Sequence, residues 1–155
     1  MRDYIFHGKR VDNGEWVEGY LGYNKARKQY YIMDDVDSFP IPVCKESVGQ
    51  YTEMNDKNGR KIFEGDIVRC QERFDRPYSD KRKSKRHIGV VKYQVRRGSR
   101  FYNQETKKYD RHSDCSAEWI VEVEDYGKFV HGSWGDFYDC EVIGTVFDNA
   151  DLLEG

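Results

Sequence analysis

A run of basic residues in the middle of the chain has the composition best suited to chemistry. Lys and Arg recur through residues 76–100, where Asp80 is the only acidic residue. Clustered cations neutralise phosphates, and Tyr78 and Tyr93 are interleaved at positions where nucleobases could stack. The run therefore predicts a nucleic-acid-binding segment. Its candidate contact residues are Arg82, Lys83, Lys85, Arg86, Arg96, Arg97 and Arg100.

The same run is also typical of a solvated basic loop. The chain as a whole has a formal net charge of -2, which argues against a general binder of polyanions. A basic middle and an acidic C-terminal third could equally join two copies, with the loop of one subunit against the acidic face of the next. The acidic residues of that third include Glu118, Glu122, Glu124, Asp125, Asp136, Asp139 and Glu141.

Metal-binding and catalytic patterns are weak throughout the sequence. His112 and Cys115 are the only close His/Cys pairing, whereas a structural zinc site needs four such ligands. Glu64 and Asp66 flank Gly65, and this pattern favours a turn in which Asp66 bonds to nearby backbone. Gly-x-Ser-x-Gly, His-Glu-x-x-His and a glycine-rich phosphate loop are all missing. We expect no catalytic site, metal or cofactor.

Composition indicates one globular unit with a small core. Hydrophobic residues make up 37% of the 155 residues and charged residues 35%, so aromatics, at 15%, must supply much of the buried area. Twelve Tyr and three Trp exceed what such a core can hold, so some are expected at the surface or between subunits. Four dispersed cysteines and an N-terminus without an apolar run predict a cytoplasmic protein with free thiols. No apolar segment approaches the roughly 20 residues of a membrane helix.

The N-terminal part has the pattern of successive β-hairpins. Asn13-Gly14 lies between apolar flanks, which is a strong hairpin signal. Residues 25–28 form a polar tip that returns through 29–33. Two prolines within 39–43 require an extended edge or crossover segment.

The remainder predicts short strands and one long loop. Residues 48–69 hold two extended pieces around a turn at 56–59, then a second bend into Ile67. Regularity is lost after residue 70 and returns at 89–93, which predicts a long basic loop near 71–88. Later strands are expected at 119–124 and 140–147. Asn149 is expected to cap a short turn whose Leu152 and Leu153 close the core.

Several of these segments resemble the YopX-like proteins carried by phages and prophages of Gram-positive bacteria. The matching runs are VGQYT at 48–52, DKNG at 56–59, IFEGDIV at 62–68, EVIGTVFDN at 141–149 and DLLE at 151–154. The resemblance implies a mostly β protein with a small SH3-like barrel and a phage origin. It implies no activity and no site residues.

Strand after strand without a helical period predicts a single, mostly β unit. We expect an N-terminal β-hairpin extension at 1–47, a small SH3-like barrel with the long basic loop at 48–148, and a short C-terminal turn at 149–155. The predicted function is that of a non-enzymatic phage or prophage accessory protein in the cytoplasm of the bacterial host. It would bind a host or phage protein or form a homo-oligomer, without contacting a membrane. The alternative is a nucleic-acid-binding accessory protein that uses the basic segment 76–100.

Overall fold

The computed structural model describes residues 4–34, 39–72, 86–97, 100–103, 105–111, 115–125, 128–133 and 137–154. These residues are mostly strand, with 3₁₀ helices at Lys45–Ser47 and Ala150–Leu153 and no α-helix among them. The strands are β1 (Phe6–Lys9), β2 (Trp16–Asn24), β3 (Gln29–Met33), β4 (Ile41–Val43), β5 (Gly49–Asn55), β6 (Lys61–Phe63), β7 (Asp66–Glu72), β8 (Arg86–Arg97), β9 (Arg100–Asn103), β10 (Lys108–Arg111), β11 (Cys115–Asp125), β12 (Lys128–Ser133) and β13 (Phe137–Thr145). No described helix is long and apolar enough to cross a membrane.

The first sheet has the order β4-β3-β2-β1-β5-β6 and antiparallel pairing. Both predicted hairpins are confirmed: β1 and β2 flank the Asn13-Gly14 turn, and β2 and β3 flank residues 25–28. Gly14 has φ +73, the conformation that makes Asn-Gly a hairpin signal. β4 is an edge strand, as its prolines predicted.

The edge strand β4 curls back towards the end of β1. Arg10 forms an isolated antiparallel bridge with Val43, and the Val11 N–H donates to the Pro42 carbonyl at 3.0 Å. The curl encloses Ile32 and Val43, which are fully buried. This end of the first sheet therefore has a small core of its own.

The second sheet has the order β12-β11-β8-β7-β13, again antiparallel. One face carries a core of Val68, Cys70, Val91, Val121 and Val142. Ile62, from β6 of the first sheet, belongs to the same core and is fully buried. The two sheets therefore share apolar packing at β6.

The predicted SH3-like barrel over 48–148 is not confirmed, since the described strands of that range fall into two open sheets. β5 and β6 continue the first sheet because β5 pairs with β1, with Phe6 opposite Gln50 and His7 opposite Gly49. The edge strands β12 and β13 do not pair with each other among the described residues, so the second sheet is not a closed barrel. At the predicted loop, β7 runs to Glu72 and β8 starts at Arg86, and residues 73–85 lie outside the described part.

β8 and β11 extend beyond the strands that flank them. β7 pairs with β8 only up to Val90, and β12 pairs with β11 only from Ile120 onwards, whereas β8 and β11 pair as far as Arg97 opposite Cys115. β9 and β10 form a separate two-stranded sheet, from Arg100 opposite Arg111 to Asn103 opposite Lys108. We call residues 93–97, 100–103, 108–111 and 115–119 the β-ribbon.

The turn between β5 and β6 is fastened to the second sheet by one buried carboxylate. Asp56 Oδ1 accepts the backbone N–H groups of Asn58 at 2.8 Å and Arg60 at 2.9 Å, and Oδ2 accepts that of Val142 at 3.2 Å. Burial alone would raise the pKa of Asp56, but these three donors outweigh burial and hold the pKa below its usual range. Asp56 therefore joins a local turn to β13.

A backbone hydrogen bond completes this junction between the sheets. The Lys57 N–H donates to the Cys140 carbonyl of β13 at 2.8 Å. We call Asp56 and Lys57, with their partners Val142 and Cys140, the sheet junction.

Gly65, at the turn from β6 into β7, extends the pairing of β7 within the second sheet. It donates to the Val91 carbonyl at 2.9 Å and accepts from the Val146 N–H at 2.9 Å. Gly65 has φ +84, a conformation that other residues adopt only with strain.

Replacing the junction carboxylate should destabilise the protein. In Asp56→Ala the buried Val142 N–H loses its carboxylate partner and the turn loses two more acceptors, which should lower the free energy of unfolding by about 2–3 kcal/mol. Urea unfolding measures the effect. The matched control is Asp12→Ala, because Asp12 is an exposed turn residue paired with Arg10, and the loss of such a surface pair should change the free energy of unfolding far less. Equal losses in the two variants would contradict this role of Asp56.

Candidate functional site

A groove of about 880 Å³ lies between the two sheets. One wall comes from β1, β2 and the 3₁₀ helix at 45–47, another from β8 and β11, and a third from residues 145–153. Its volume lies in the range of ordinary ligand pockets. The lining residues that matter most are His7, Trp16, Arg86, Lys92, Tyr93 and Phe147. We call this feature the inter-sheet groove.

The C-terminal segment is fastened across one end of the groove. The Asp148 carboxylate accepts from Trp16 Nε1 at 3.0 Å and from the Lys9 ammonium. The Phe147 ring meets the Trp16 ring edge-on, with centroids 6.3 Å apart, and Lys9 Nζ lies 5.5 Å from the centre of the Phe147 ring. These contacts fix two rings at the mouth of the groove.

The predicted cap at Asn149 takes a different form. Residues 150–153 form a 3₁₀ helix without a side-chain cap bond, and Asn149 Oδ1 instead accepts the Thr145 N–H at 3.3 Å. The side chain therefore closes the preceding turn. Leu152 and Leu153 are half-buried and line the groove rather than closing a core.

His7 lies buried at the base of the groove, with 7% of its surface exposed. Its ring stacks on Phe63 at 4.1 Å and meets Trp16 at 4.6 Å, and it hydrogen-bonds to the Glu64 carbonyl. Burial, reinforced by the positive charge of Arg60, lowers the pKa of His7 to about 4. The imidazole is therefore neutral at pH 7.

Gly49 leaves room for the His7 ring and the Glu64 carbonyl. A Cβ at position 49 would lie 2.1 Å from the Glu64 oxygen and 2.8 Å from His7 Nε2. Because the Glu64 oxygen is a backbone atom, any larger residue at position 49 would force β5 and the turn after β6 apart. The position of His7 thus depends on close approach of two backbone segments.

Asp66 lies behind the same turn and is fully buried. Its Oδ2 accepts the Phe63 N–H at 2.9 Å, which confirms the predicted bond to nearby backbone. Oδ1 has no hydrogen-bond partner within the described part of the chain. Burial raises the pKa of Asp66 to about 6, despite the Phe63 N–H. Glu64 lines the groove and Asp66 does not, so the two do not form a paired-carboxylate site.

The wall of the inter-sheet groove that β8 and β11 form carries charged side chains of both signs. Lys92 forms an ion pair with Glu122, and Arg86 lies exposed at the start of β8. The ring of Tyr93 is half-exposed and meets Trp119 edge-on at 5.0 Å. Among the residues whose positions are described, no three His, Cys, Asp or Glu side chains cluster as metal ligands do. Such a wall can hold rings and apolar groups and can orient them with flanking charges.

The predicted nucleic-acid contacts are not gathered into one site. Arg86 lines the groove, whereas Arg96 and Arg97 end β8 and Arg100 starts β9, all on the β-ribbon. Ten residues of strand separate Arg86 from Arg96, a distance of roughly 33 Å. The remaining three, Arg82, Lys83 and Lys85, lie outside the described residues.

Sequence reasoning missed the groove because its parts are far apart in the chain. His7, Trp16 and Phe147 meet only after both sheets have formed. The one usable signal was the Trp16 that follows an Asn-Gly turn, since a large ring at a strand start requires a packing partner.

One known family matches nearly the whole chain. The family model described as YopX protein matches residues 7–154. The chain belongs to the YopX family. The match includes every element that lines the groove, from His7 to Leu153. It confirms the resemblance carried by residues 48–68 and 141–154. No curated protein matches the chain.

His7 and Asp66 should make opposite contributions to the pH dependence of stability. The pKa of His7 is about 4 when folded and 6.5 when unfolded, so its contribution is present above pH 6.5 and is lost as the pH falls towards 4. The pKa of Asp66 is about 6 when folded and 3.8 when unfolded, so its contribution is present below pH 3.8 and is lost as the pH rises through 6. Over its full pH range each contribution to the free energy of unfolding amounts to about 3 kcal/mol.

Single variants separate the two contributions. Relative to wild type, Asp66→Asn should lose about 2–3 kcal/mol of additional stability between pH 7 and pH 4, because only the His7 penalty remains. His7→Gln should gain a similar amount over the same interval. Urea unfolding at four pH values measures both. Variants whose pH dependence parallels that of wild type would show that neither group is buried as described.

Proposed function

We propose that this protein is a non-enzymatic accessory protein of a phage or prophage that works in the cytoplasm of the bacterial host by binding protein. Its partner is a host or phage protein or a second copy of the chain. The single observation that supports this function best is the inter-sheet groove, which is open to solvent and rimmed by rings and aliphatic side chains.

The apolar rim supports protein contact. Tyr93, Phe147, Ile88 and Val146 all line the groove and are each between 38% and 49% exposed. Contiguous exposed apolar groups with a polar surround are typical of interaction surfaces, and aromatic residues contribute most to such contacts. These side chains are held in place by β8 and by the C-terminal segment, so little order has to be gained on binding.

The polar groups of the groove favour binding over catalysis. His7 is neutral, buried and hydrogen-bonded to the Glu64 carbonyl, and Lys92 is paired with Glu122. A general acid or base must lie within reach of a substrate, whereas only 7% of the His7 surface is exposed. Paired charges such as Lys92 and Glu122 instead supply orientation and selectivity to a partner.

Substitutions on the groove rim should weaken protein association. Tyr93→Ser combined with Ile88→Ser removes two apolar contacts and should reduce association tenfold or more. Light scattering over a concentration series reports self-association, and quantitative pull-down from host lysate reports other partners. The matched control is Phe39→Ser, because Phe39 is 78% exposed and lies outside the groove. A wild-type chain that stays monomeric and captures no specific protein would contradict the proposal.

Nucleic-acid binding is a second candidate function. It is favoured by the positions of the basic residues: Arg86 is exposed beside the groove, and three further arginines follow one another on the β-ribbon. Those three are Arg96, Arg97 and Arg100. Contacts of this kind act mainly through phosphate and are weakened by salt.

A further inference from the structure

Two cysteines face each other in the core of the second sheet. Cys70 lies on β7 and Cys140 on β13, and both are buried. The two strands are antiparallel, with Arg69 opposite Glu141, so the next position along the register places Cys70 opposite Cys140. Both side chains enter the same apolar core, and their thiols are hydrogen-bonded to each other. The two sulfurs therefore form a close cross-strand pair.

The hydrogen bonds of β13 show which kind of pair this is. Along an antiparallel pair, residues whose backbone groups bond to the opposite strand alternate with residues whose backbone groups point away from it. The Cys140 carbonyl accepts the Lys57 N–H at 2.8 Å, and the Val142 N–H donates to Asp56 at 3.2 Å. At both positions the backbone of β13 thus points away from β7. Cys70 and Cys140 are a non-hydrogen-bonded pair, in which the Cα atoms are about 4.5 Å apart.

This geometry suits a disulfide. Disulfides join Cα atoms that are about 4.4–6.8 Å apart, a range that includes the spacing of the pair. The strand β13 also bulges next to Cys140, because its register against β7 shifts between Tyr138 and Glu141. Bulges bend and twist a strand locally, so this part of β13 can adjust the approach of the two sulfurs.

The two thiols differ in the way that a reactive pair requires. The hydrogen bond from the Cys70 thiol lowers the pKa of Cys140, although burial and the charges of Asp139 and Asp56 oppose it. The same hydrogen bond, reinforced by burial, raises the pKa of Cys70. Cys140 is also the more accessible of the two, since it is 7% exposed and lies on an edge strand of the second sheet. Because the thiolate is the nucleophile, Cys140 is the sulfur that reacts first.

We propose that Cys70 and Cys140 form a redox-modification site that hydrogen peroxide converts to a disulfide and that thiol reductants restore. The Cys140 thiolate attacks one peroxide oxygen, the O–O bond breaks, and the departing hydroxide takes up a proton to become water. The Cys70 sulfur then attacks the sulfur of the Cys140 sulfenic acid, and its proton leaves with the displaced hydroxyl as a second water. Two thiols lose two electrons, and peroxide is reduced to two waters. The proposal does not depend on protein or nucleic-acid binding.

The disulfide stabilises the strand that carries the sheet junction. Cys140 itself supplies the carbonyl that Lys57 binds, and Val142 follows two residues later. The cross-link closes a long loop that contains β8 and β11, the strands of one groove wall. Closing such a loop restricts the unfolded chain and thereby favours the folded state. The oxidised protein should therefore unfold at a higher urea concentration than the reduced protein.

Peroxide treatment of the wild-type protein tests the pair without any substitution. Maleimide labelling of the denatured chain counts thiols, and mass spectrometry of unreduced peptides locates the cross-link. Peroxide should remove two of the four thiols, lower the mass by two hydrogen atoms and join Cys70 to Cys140. Dithiothreitol should restore all four thiols and the urea midpoint of the reduced protein.

Two double variants with equal numbers of thiols give the matched comparison. Cys44→Ala with Cys115→Ala keeps only the proposed pair and should lose both remaining thiols to a disulfide. Cys70→Ala with Cys140→Ala keeps only the other two cysteines and should form no disulfide within the chain. The single variant Cys70→Ala should stop at a sulfenic acid on Cys140, which dimedone traps. Circular dichroism verifies that each variant folds.

Three results overturn the proposal. The wild type retains all four thiols after peroxide treatment, or its disulfide joins other cysteines, or Cys140 is oxidised to the sulfinic acid without closing a disulfide. A cross-link between Cys70 and Cys140 that forms equally well in the urea-unfolded chain also contradicts it, because the pairing then owes nothing to the fold. If a variant does not fold, the peptide map of the wild type still decides between these outcomes.

Discussion

The sheet junction is the constraint on which the rest of the structure depends. Two open sheets expose edge N–H and C=O groups that must find partners when they are buried. The turn after β5 supplies such partners, because the Asp56 carboxylate accepts the Val142 N–H of β13 and the Lys57 N–H donates to the Cys140 carbonyl of β13. Because Ile62 follows this turn and enters the core of the second sheet, neighbouring residues provide both polar and apolar contacts. The relative position of the sheets follows from them.

The inter-sheet groove lies beside the connection between the sheets. Gly65, at the turn from β6 into β7, lines it together with residues of both sheets. The C-terminal segment then crosses the groove and is held by the bonds of Asp148 to Lys9 and Trp16.

Local patterns predicted the local structure well. The Asn13-Gly14 hairpin, the edge strand with its prolines and the Asp66 turn all follow from φ preferences and short-range hydrogen bonds. The predicted SH3-like barrel was not confirmed. Alternation of apolar and polar residues predicts a strand but does not specify its pairing partner, and β5 pairs with β1 rather than only with later strands. The bond between Asp56 and Val142 spans 86 residues, so turn chemistry predicted the turn but not its long-range partner. The inter-sheet groove was missed for the same reason, because the residues that form it lie far apart in the chain.

Native-state hydrogen exchange of the wild-type protein tests the sheet junction most directly. The Lys57 amide donates from the β5–β6 turn to the Cys140 carbonyl of β13, so it exchanges when the sheets separate. If the junction holds the sheets together, this amide should be protected to nearly the same free energy as the core amide of Val91. Exchange of the Lys57 amide about a hundredfold or more faster than that of Val91 would mean that the sheets open independently, and would contradict this account.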